Sequence, residues 1–459
     1  MTTPRDLITR RIARQARLFP ELDIAAPDVS GLSTQDAALA IAIDHAVNRH
    51  WLTLVAVAES HLSRSWDDLE FKLQAALLVG VAQLLFMDRL PDHAVINEAV
   101  QWAKDNVRPK AGGLVNAVLR KVAALRAERI AEIELASPLS PLPRDVLPLH
   151  DGRAWRLAEP VFDENPLHRL AQQTSHPEHL IRQWQEKYSD EVAMRLALHS
   201  LIHPPIIIAG TTDEQPADDE NLKPHDEDGF AIFVGPHDAL SGFLAAHPGA
   251  RVQDPGAAAA VMATRSLRLH CIVDYCAGKG TKTQQLAALH PSAEIIATDV
   301  DAARLATLRA MFKGHDRVRV VGPREIRSHV GRADLLLLDV PCSNTGVLAR
   351  RVEAKYRYSA ESLAKLVNVQ RQIVADAFAL LADDGRILYS TCSIEPAENE
   401  DQAAWIARWH RMQIDTARSR LPASLPGAAP QTYSDGGYFA ILKPGGHGSK
   451  KVTTRSQGR

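Results

Sequence analysis

From residue 251 onward the chain repeats one pattern, a short run of β-forming residues followed by a stretch with helical spacing. The runs "HCIVDY", "EIIATDV", "RVRVVG", "DLLLLDV" and "GRILYST" alternate with segments such as "TKTQQLAALH" and "NVQRQIVADAFALLAD". Strands separated by helices form βαβ units, so the spacing predicts a mostly parallel, doubly wound α/β sheet of Rossmann-like class. In such sheets ligands bind beyond the carboxyl ends of the strands. Those ends are where the chemistry is to be sought.

The rest of the chain follows other patterns, and 459 residues exceed what a single hydrophobic core serves. Between about 33 and 127 the residues read as helices. Ser33 and Ser65, followed three positions later by Asp36 and Asp68, resemble capping boxes, and Val115, Val118, Leu119 and Val122 form one apolar stripe. Ile96, Ala99, Val100 and Ala103 form another, so these helices are expected to pack as a bundle. Prolines at 138, 141, 143 and 148 predict a linker over residues 131–170, because proline at that density breaks helices and central strands. Residues 171–250 read as a small α+β module, and residues 444–459 as a basic, disordered tail.

The formal net charge of −2 gives no basic excess of the kind nucleic-acid binders show, although the acidic run at 213–229 lowers the total. The first residues, "MTTPRDLITRR", lack the apolar core of a secretory signal, and the apolar stretch 75–87 is too short to span a bilayer. Four cysteines without a secretion signal argue against a disulfide framework. Zinc would need paired ligands, whereas Cys342 and Cys392 each stand alone. The expectation is a cytoplasmic monomer with no metal and no membrane partner.

Three strand ends carry candidate chemistry. The first leads into "DYCAGKGTKTQQLA", where Gly278 and Gly280 suit a turn that brings backbone N–H groups and a helix N-terminus toward a ligand. Thr283 stands where a dinucleotide fingerprint has Gly or Ala. Asp299 ends the next strand nineteen residues after Gly280, placed to accept hydrogen bonds from ribose hydroxyls. Loop and acid together indicate a nucleoside cofactor, NAD or S-adenosylmethionine. The fourth and fifth strands end in "DVPCSNTG" and "YSTCS", each delivering a cysteine to the ligand-binding edge. A free cysteine is usually a small buried hydrophobe. Here Cys342 lies among Pro341, Ser343, Asn344 and Gly346, and Cys392 between Thr391 and Ser393, which is loop chemistry suited to a nucleophile. Asp339, three residues before Cys342, is placed to manage a proton.

These motifs, "DVPCSNTG" with "YSTCS" after "DYCAGKGTKT" and "TDVD", resemble the RNA cytosine-5 methyltransferases. "LLVGVAQLLFMDRLPDHAVINEAVQWAK" and "KAGGLVNAVLRKV" resemble the NusB-like helical domain fused to the Sun (RsmB-type) enzymes that act on bacterial small-subunit ribosomal RNA. The resemblance runs from about residue 33 to 443. It implies a NusB-like RNA-binding domain at 1–130, an RNA-binding role for 171–250, and an S-adenosyl-L-methionine-dependent methyltransferase domain at 251–443. The implied reaction is attack of a thiolate on C6 of a cytosine displayed out of any helix. The attack makes C5 nucleophilic toward the methyl group, and the C5 proton and the enzyme thiol then leave. By the family's pattern Cys392 attacks, Cys342 assists product release, and Asp339 contacts the cytosine or cofactor edge. Cys276, Ala277, Gly278, Lys279, Gly280, Thr281 and Lys282 would cradle the cofactor, with Asp299 on its ribose. Arg350, Arg351, Lys355 and Arg357 would meet RNA phosphates.

The chain departs from the family in places. In the loop Gly280, Lys282 and Thr283 match, but the usual Pro and one Gly are replaced. Pro323 stands near the position of an acid for the adenine side, with Glu325 as its substitute, and Val352 stands where proline is common. Two rival functions are a relative acting on tRNA or another rRNA site, and a non-catalytic RNA-binding or assembly factor. A scaffold would need neither cysteine.

Overall fold

The computed structural model describes residues 3–131, 141–210 and 220–445. They group into two compact units. One comprises residues up to 205 with 347–362 and 422–433; the other comprises 206–346, 363–421 and the residues from 434 onward.

In the first unit five helices, Pro4–Leu18, Thr34–Glu59, Phe71–Phe86, Asp92–Asn106 and Ala111–Leu125, form the expected bundle. Phe71–Phe86 is its central member. Leu73, Leu77, Leu78, Val81 and Leu85 are fully buried, which is why this helix is apolar all round and not striped. Ser33 caps as expected, accepting from the Asp36 N–H at 3.1 Å and donating to its carboxylate at 2.9 Å. Ser65 instead caps a single 3₁₀ turn, Trp66–Asp68. Helix Pro4–Leu18 lies before the predicted bundle, and its signal was a Thr3 cap followed by Pro4 and Asp6.

The Thr34–Glu59 helix is kinked, with His50 at φ −113° and ψ 18°. A kink frees backbone groups that must find other partners. The Trp51 and Leu52 N–H groups donate to the Tyr356 hydroxyl and Ser175 Oγ, at 3.2 and 2.9 Å. The Asn48 and Arg49 carbonyls accept from the Tyr356 hydroxyl and the Lys355 ammonium, both at 2.9 Å.

Two boundaries read from the sequence need correction. The described part of the predicted 131–170 linker carries regular structure: Val146–Pro148 and Ala154–Leu157 join Arg126–Ile130, just before it, in an antiparallel sheet with Ala154–Leu157 in the middle. Pro148 is accommodated because it ends an edge strand, where a missing N–H costs little. The predicted module at 171–250 is not one body. Its helices (Pro166–Thr174, Glu178–Lys187 and Asp190–His199) group with the first unit. A four-stranded sheet ordered Leu222–Pro224, Phe230–Phe233, Ile206–Ala209, Arg251–Val252 belongs to the second. The tail beyond 445 and residues 213–219 of the acidic run lie outside the described residues. Among those described, no helix is long and apolar enough to cross a membrane.

The second unit carries the predicted doubly wound sheet. Its strands are β1 (Cys271–Asp274), β2 (Glu294–Ala297), β3 (Val318–Val320), β4 (Ala333–Asp339), β5 (Leu381–Thr391), β6 (Met412–Arg420) and β7 (Gly437–Pro444). The order is β3-β2-β1-β4-β5-β7-β6. The first five are parallel, while β7 runs antiparallel between β5 and β6. The spacing predicted five strands, and the last two are additions. Leu335–Leu338 of β4 are all fully buried, as a strand covered on both faces requires. One face packs Leu336, Leu338 and Ile387 against Val374 and Ile406; the other packs Leu335, Leu337 and Leu388 with Leu286 and Leu308. The strand order reverses between β1 and β4, so a crevice is expected at their carboxyl ends.

Candidate active site

β1 ends at Asp274, and the chain then turns through residues 275–280 into helix Thr281–Leu289. Gly278 and Gly280 adopt φ of 58° and 97°, a region that side chains disfavour. A Cβ at Gly280 would also lie 2.8 Å from both Leu308 and Phe312, so close helix packing requires glycine here. The turn is braced from β2: Ala277 N–H donates to Thr298 O at 2.9 Å, and Gly278 N–H to Asp299 Oδ2 at 2.8 Å. Asp299 Oδ1 accepts from the Asp301 N–H at 2.9 Å, so this acid organises both the glycine turn and the next helix.

Carboxylates gather at these strand ends. Asp274 is fully buried, and its Oδ2 accepts from the Thr283 hydroxyl at 2.7 Å. Its Oδ1 has no partner. Burial pushes its carboxyl up to about 7; the Thr283 hydrogen bond opposes this, and the charges of Asp339 and Asp299 add to it. Asp339, at the end of β4, accepts from the Lys282 ammonium at 2.8 Å and from Ser390 Oγ at 2.7 Å. For Lys282, burial works against the charged form, but the Asp339 carboxylate outweighs it and the ammonium is held above its usual range.

Register brings the two strand-end cysteines together. Asp339 pairs with Ser390 across β4 and β5. Just beyond, Cys342 Sγ lies 3.2 Å from Cys392 Sγ, both thiols being free. Cys392 donates to Asn344 Oδ1 at 3.1 Å, and Asn344 Nδ2 donates to Cys342 O at 3.0 Å. The Cys342 thiol is pushed well above its ordinary range, first by its hydrogen bond to Cys392, then by burial and the Glu398 charge. Cys271 and Cys276 are also pushed up by burial, and the Cys276 thiol faces three carboxylates besides. Neither is set up to ionise.

Sequence reasoning missed the residues behind the cysteines. Gln370 carries no motif, and by local pattern Pro396 and the acids of "EPAENE" (395–400) read as the start of a helix. Glu400 and Asp401 do begin helix Glu400–Trp409, but Glu395 and Glu398 are fully buried. Glu398 accepts from Ser343 N–H at 2.9 Å, Ser343 Oγ at 2.5 Å and Gln370 Nε2 at 3.0 Å. Gln370 also donates to Pro341 O at 3.0 Å. The available signal was the polar loops "CSNT" and "TCS", whose many donors need a buried acceptor. Gly346 closes the arrangement: its N–H donates to Cys392 O at 3.0 Å, and a Cβ there would lie 2.8 Å from that oxygen.

The predicted phosphate contacts fall in the first unit and separate into two kinds. Arg350 and Arg351 are exposed, Arg350 resting over the Tyr433 ring at 5.2 Å, and Arg357 pairs with Glu353 at 3.3 Å. Lys355 must be withdrawn from the set. It is completely buried and donates to Arg49 O and Thr174 O, supplying a donor to the kinked helix, and burial pushes its ammonium well below the usual range.

At the end of β3, Glu325 accepts the Gly322 N–H at 2.7 Å, beside Pro323. After Asp299, Val300 exposes 83% of its surface, an open apolar side chain at the end of β2.

A family model described as 16S rRNA methyltransferase RsmB/F matches residues 264–428, and the NusB family model matches residues 9–124. A ribosomal RNA small subunit methyltransferase B from Cronobacter sakazakii is 28% identical over 434 residues, covering 90% of this chain and 91% of its own. One from Vibrio cholerae is 29% identical over 434 residues, 89% of each chain. The crystal structure of PH0851 shares the fold, with a TM-score of 0.66 at 21% identity over 96% of this chain and 98% of that one.

Proposed function

Because the chain joins a NusB-family segment to a methyltransferase segment of the RsmB/F family, we propose that it methylates C5 of a cytidine in small-subunit ribosomal RNA. The methyl donor is S-adenosylmethionine, and the reaction passes through an adduct between Cys392 and C6 of the base. The observation that carries this reading is the pair of free thiols 3.2 Å apart at neighbouring strand ends, beside a glycine turn and three carboxylates.

The residues suit the cofactor. A molecule bearing a sulfonium and an ammonium calls for anionic surroundings, and Asp274 offers a buried carboxylate oxygen without a partner. Asp299 would meet the ribose, Val300 would cover one face of the adenine, and the turn from Cys276 to Lys282 would hold the remainder by its backbone. When bound, the cofactor supplies a sulfonium methyl group for the C5 carbon that attack at C6 makes enamine-like.

The chain's own part is proton and thiol management. As the S–C6 bond forms, the C5–C6 double bond opens and the thiol proton is balanced by protonation of the ring at N3, with Asp339 at the base edge. Attack also removes the Cys392 thiol that holds Cys342 protonated, which is the largest cause of its raised value. Adduct formation thereby lets Cys342 give up its own proton to solvent, and the resulting thiolate takes the C5 proton. Loss of that proton restores the double bond and expels the Cys392 thiolate, which takes back the N3 proton and regenerates the thiol.

Incubation with 16S rRNA and labelled S-adenosylmethionine is expected to yield 5-methylcytidine. No label in any RNA would overturn the enzyme reading, and label in tRNA alone would move the substrate to the rival family members. Cofactor affinity should also depend on pH. A cationic ligand beside Asp274 favours the carboxylate and so lowers its pKa from the free value of about 7. Affinity therefore rises with pH below that value and levels off above it. The expected gain is about tenfold between about pH 5.5 and 7.5, and Asp274→Asn should flatten it. Calorimetric titration checks this; an unchanged slope in the variant removes Asp274 from the cofactor site.

A further inference from the structure

Asn344 belongs to none of the roles assigned so far. Its backbone is left-handed, with φ 60°, and this turns its side chain back between the two cysteines. Chemistry fixes the orientation of the amide. The Cys342 carbonyl can only accept, so Nδ2 must face it, at 3.0 Å. That leaves Oδ1, which can only accept, 3.1 Å from Cys392 Sγ. A thiol donates to such an oxygen, whereas a thiolate would be repelled by it. The two sulfurs then form a directed chain, Cys342 S–H to Cys392 Sγ and Cys392 S–H to Asn344 Oδ1.

We infer that Asn344 is a positioning residue for the nucleophile: anchored on the Cys342 carbonyl, its Oδ1 holds the resting Cys392 sulfur in place as a thiol. This rests on Cys392 being the attacking residue. Release of the thiol then requires the amide to rotate, and arrival of the base at the strand ends is the event that displaces it. The resting enzyme thus carries a nucleophile shielded from adventitious electrophiles.

Alkylation of Cys392 by iodoacetamide, followed by peptide mapping in the full-length protein, tests this without RNA or cofactor. Asn344→Gly suits the left-handed backbone and removes the acceptor, so Cys392 should alkylate about three- to tenfold faster than in wild type. Asn344→Asp loses the anchor on the Cys342 carbonyl but places a negative charge beside Cys392, which disfavours its thiolate, so alkylation should slow by a similar factor. A residue that merely supports the loop would move both variants in the same direction. Changes of the same sign, or no change in either, overturn the inference. Failure of methyl transfer to RNA, measured separately, would count against the function and not against the Asn344–Cys392 contact.

Discussion

Cys342→Ala is expected to accumulate a protein–RNA complex that survives denaturing electrophoresis, while Cys392→Ala forms none and loses methyl transfer by about 10³-fold or more. The asymmetry follows from the two roles. Without Cys392 no S–C6 bond forms, and C5 stays a poor nucleophile. Without Cys342 the bond still forms and the base is still methylated, but nothing at 3.2 Å from the attacking sulfur remains to remove the C5 proton. Elimination stalls and the adduct persists. Neither substitution removes a large buried surface, so both proteins should fold. The measurement is a gel with labelled RNA, with and without S-adenosylmethionine. A stable complex with Cys392→Ala, or equal methylation by both variants, would exchange or remove the assignments.

The parts of the fold read correctly from sequence are those set by local pattern. "DLLLLDV" reads as a short β-type run, and the alternation of such runs with helical segments indicates a mostly parallel sheet. The cysteine pair was legible for the same reason, since strand ends of a doubly wound sheet converge and Cys342 and Cys392 both sit just past one. What local pattern does not contain is the distant partner. By sequence Lys355 reads as a phosphate contact because residues 350–357 resemble the family's basic segment. Its burial follows from a kink some three hundred residues earlier, whose Arg49 carbonyl needs a donor. Pro148 argued for a linker because nothing in "RDVLPLHDG" shows that the strand lies at an edge. β6 escaped notice because seven of its nine residues are exposed, leaving no hydrophobic alternation to read.

Glu398 is the clearest instance of a distant partner, and its removal is expected to be costly. Its carboxylate serves Ser343, fifty-five residues away, and Gln370, twenty-eight away. Glu398→Ala strands the Ser343 N–H in a buried site and leaves the Ser343 hydroxyl only its neighbours such as Ser393 Oγ, and the Gln370 amide only Pro341 O. The cost is about 3 kcal/mol, a fall of about 10 °C in Tm for a unit of this size. Because Ser343 adjoins Cys342, methyl transfer should fail well below the new Tm. Glu398→Gln separates charge from shape. Its amide oxygen can still accept from Ser343 N–H and Gln370, while its amide nitrogen donates to a rotated Ser343 hydroxyl. Burial holds the Glu398 carboxyl above its usual value, opposed by its hydrogen bonds to Ser343, Ser393 and Gln370. Such a group contributes its full stability below the ordinary carboxylate range and loses it as pH rises through the raised value. Relative to wild type, Glu398→Gln should therefore gain stability as pH rises from about 4.5 to 8. Denaturant midpoints at the two ends of that range decide the sign. A relative loss at the higher pH would mean that the charged carboxylate, and not its shape, holds the Cys342 loop.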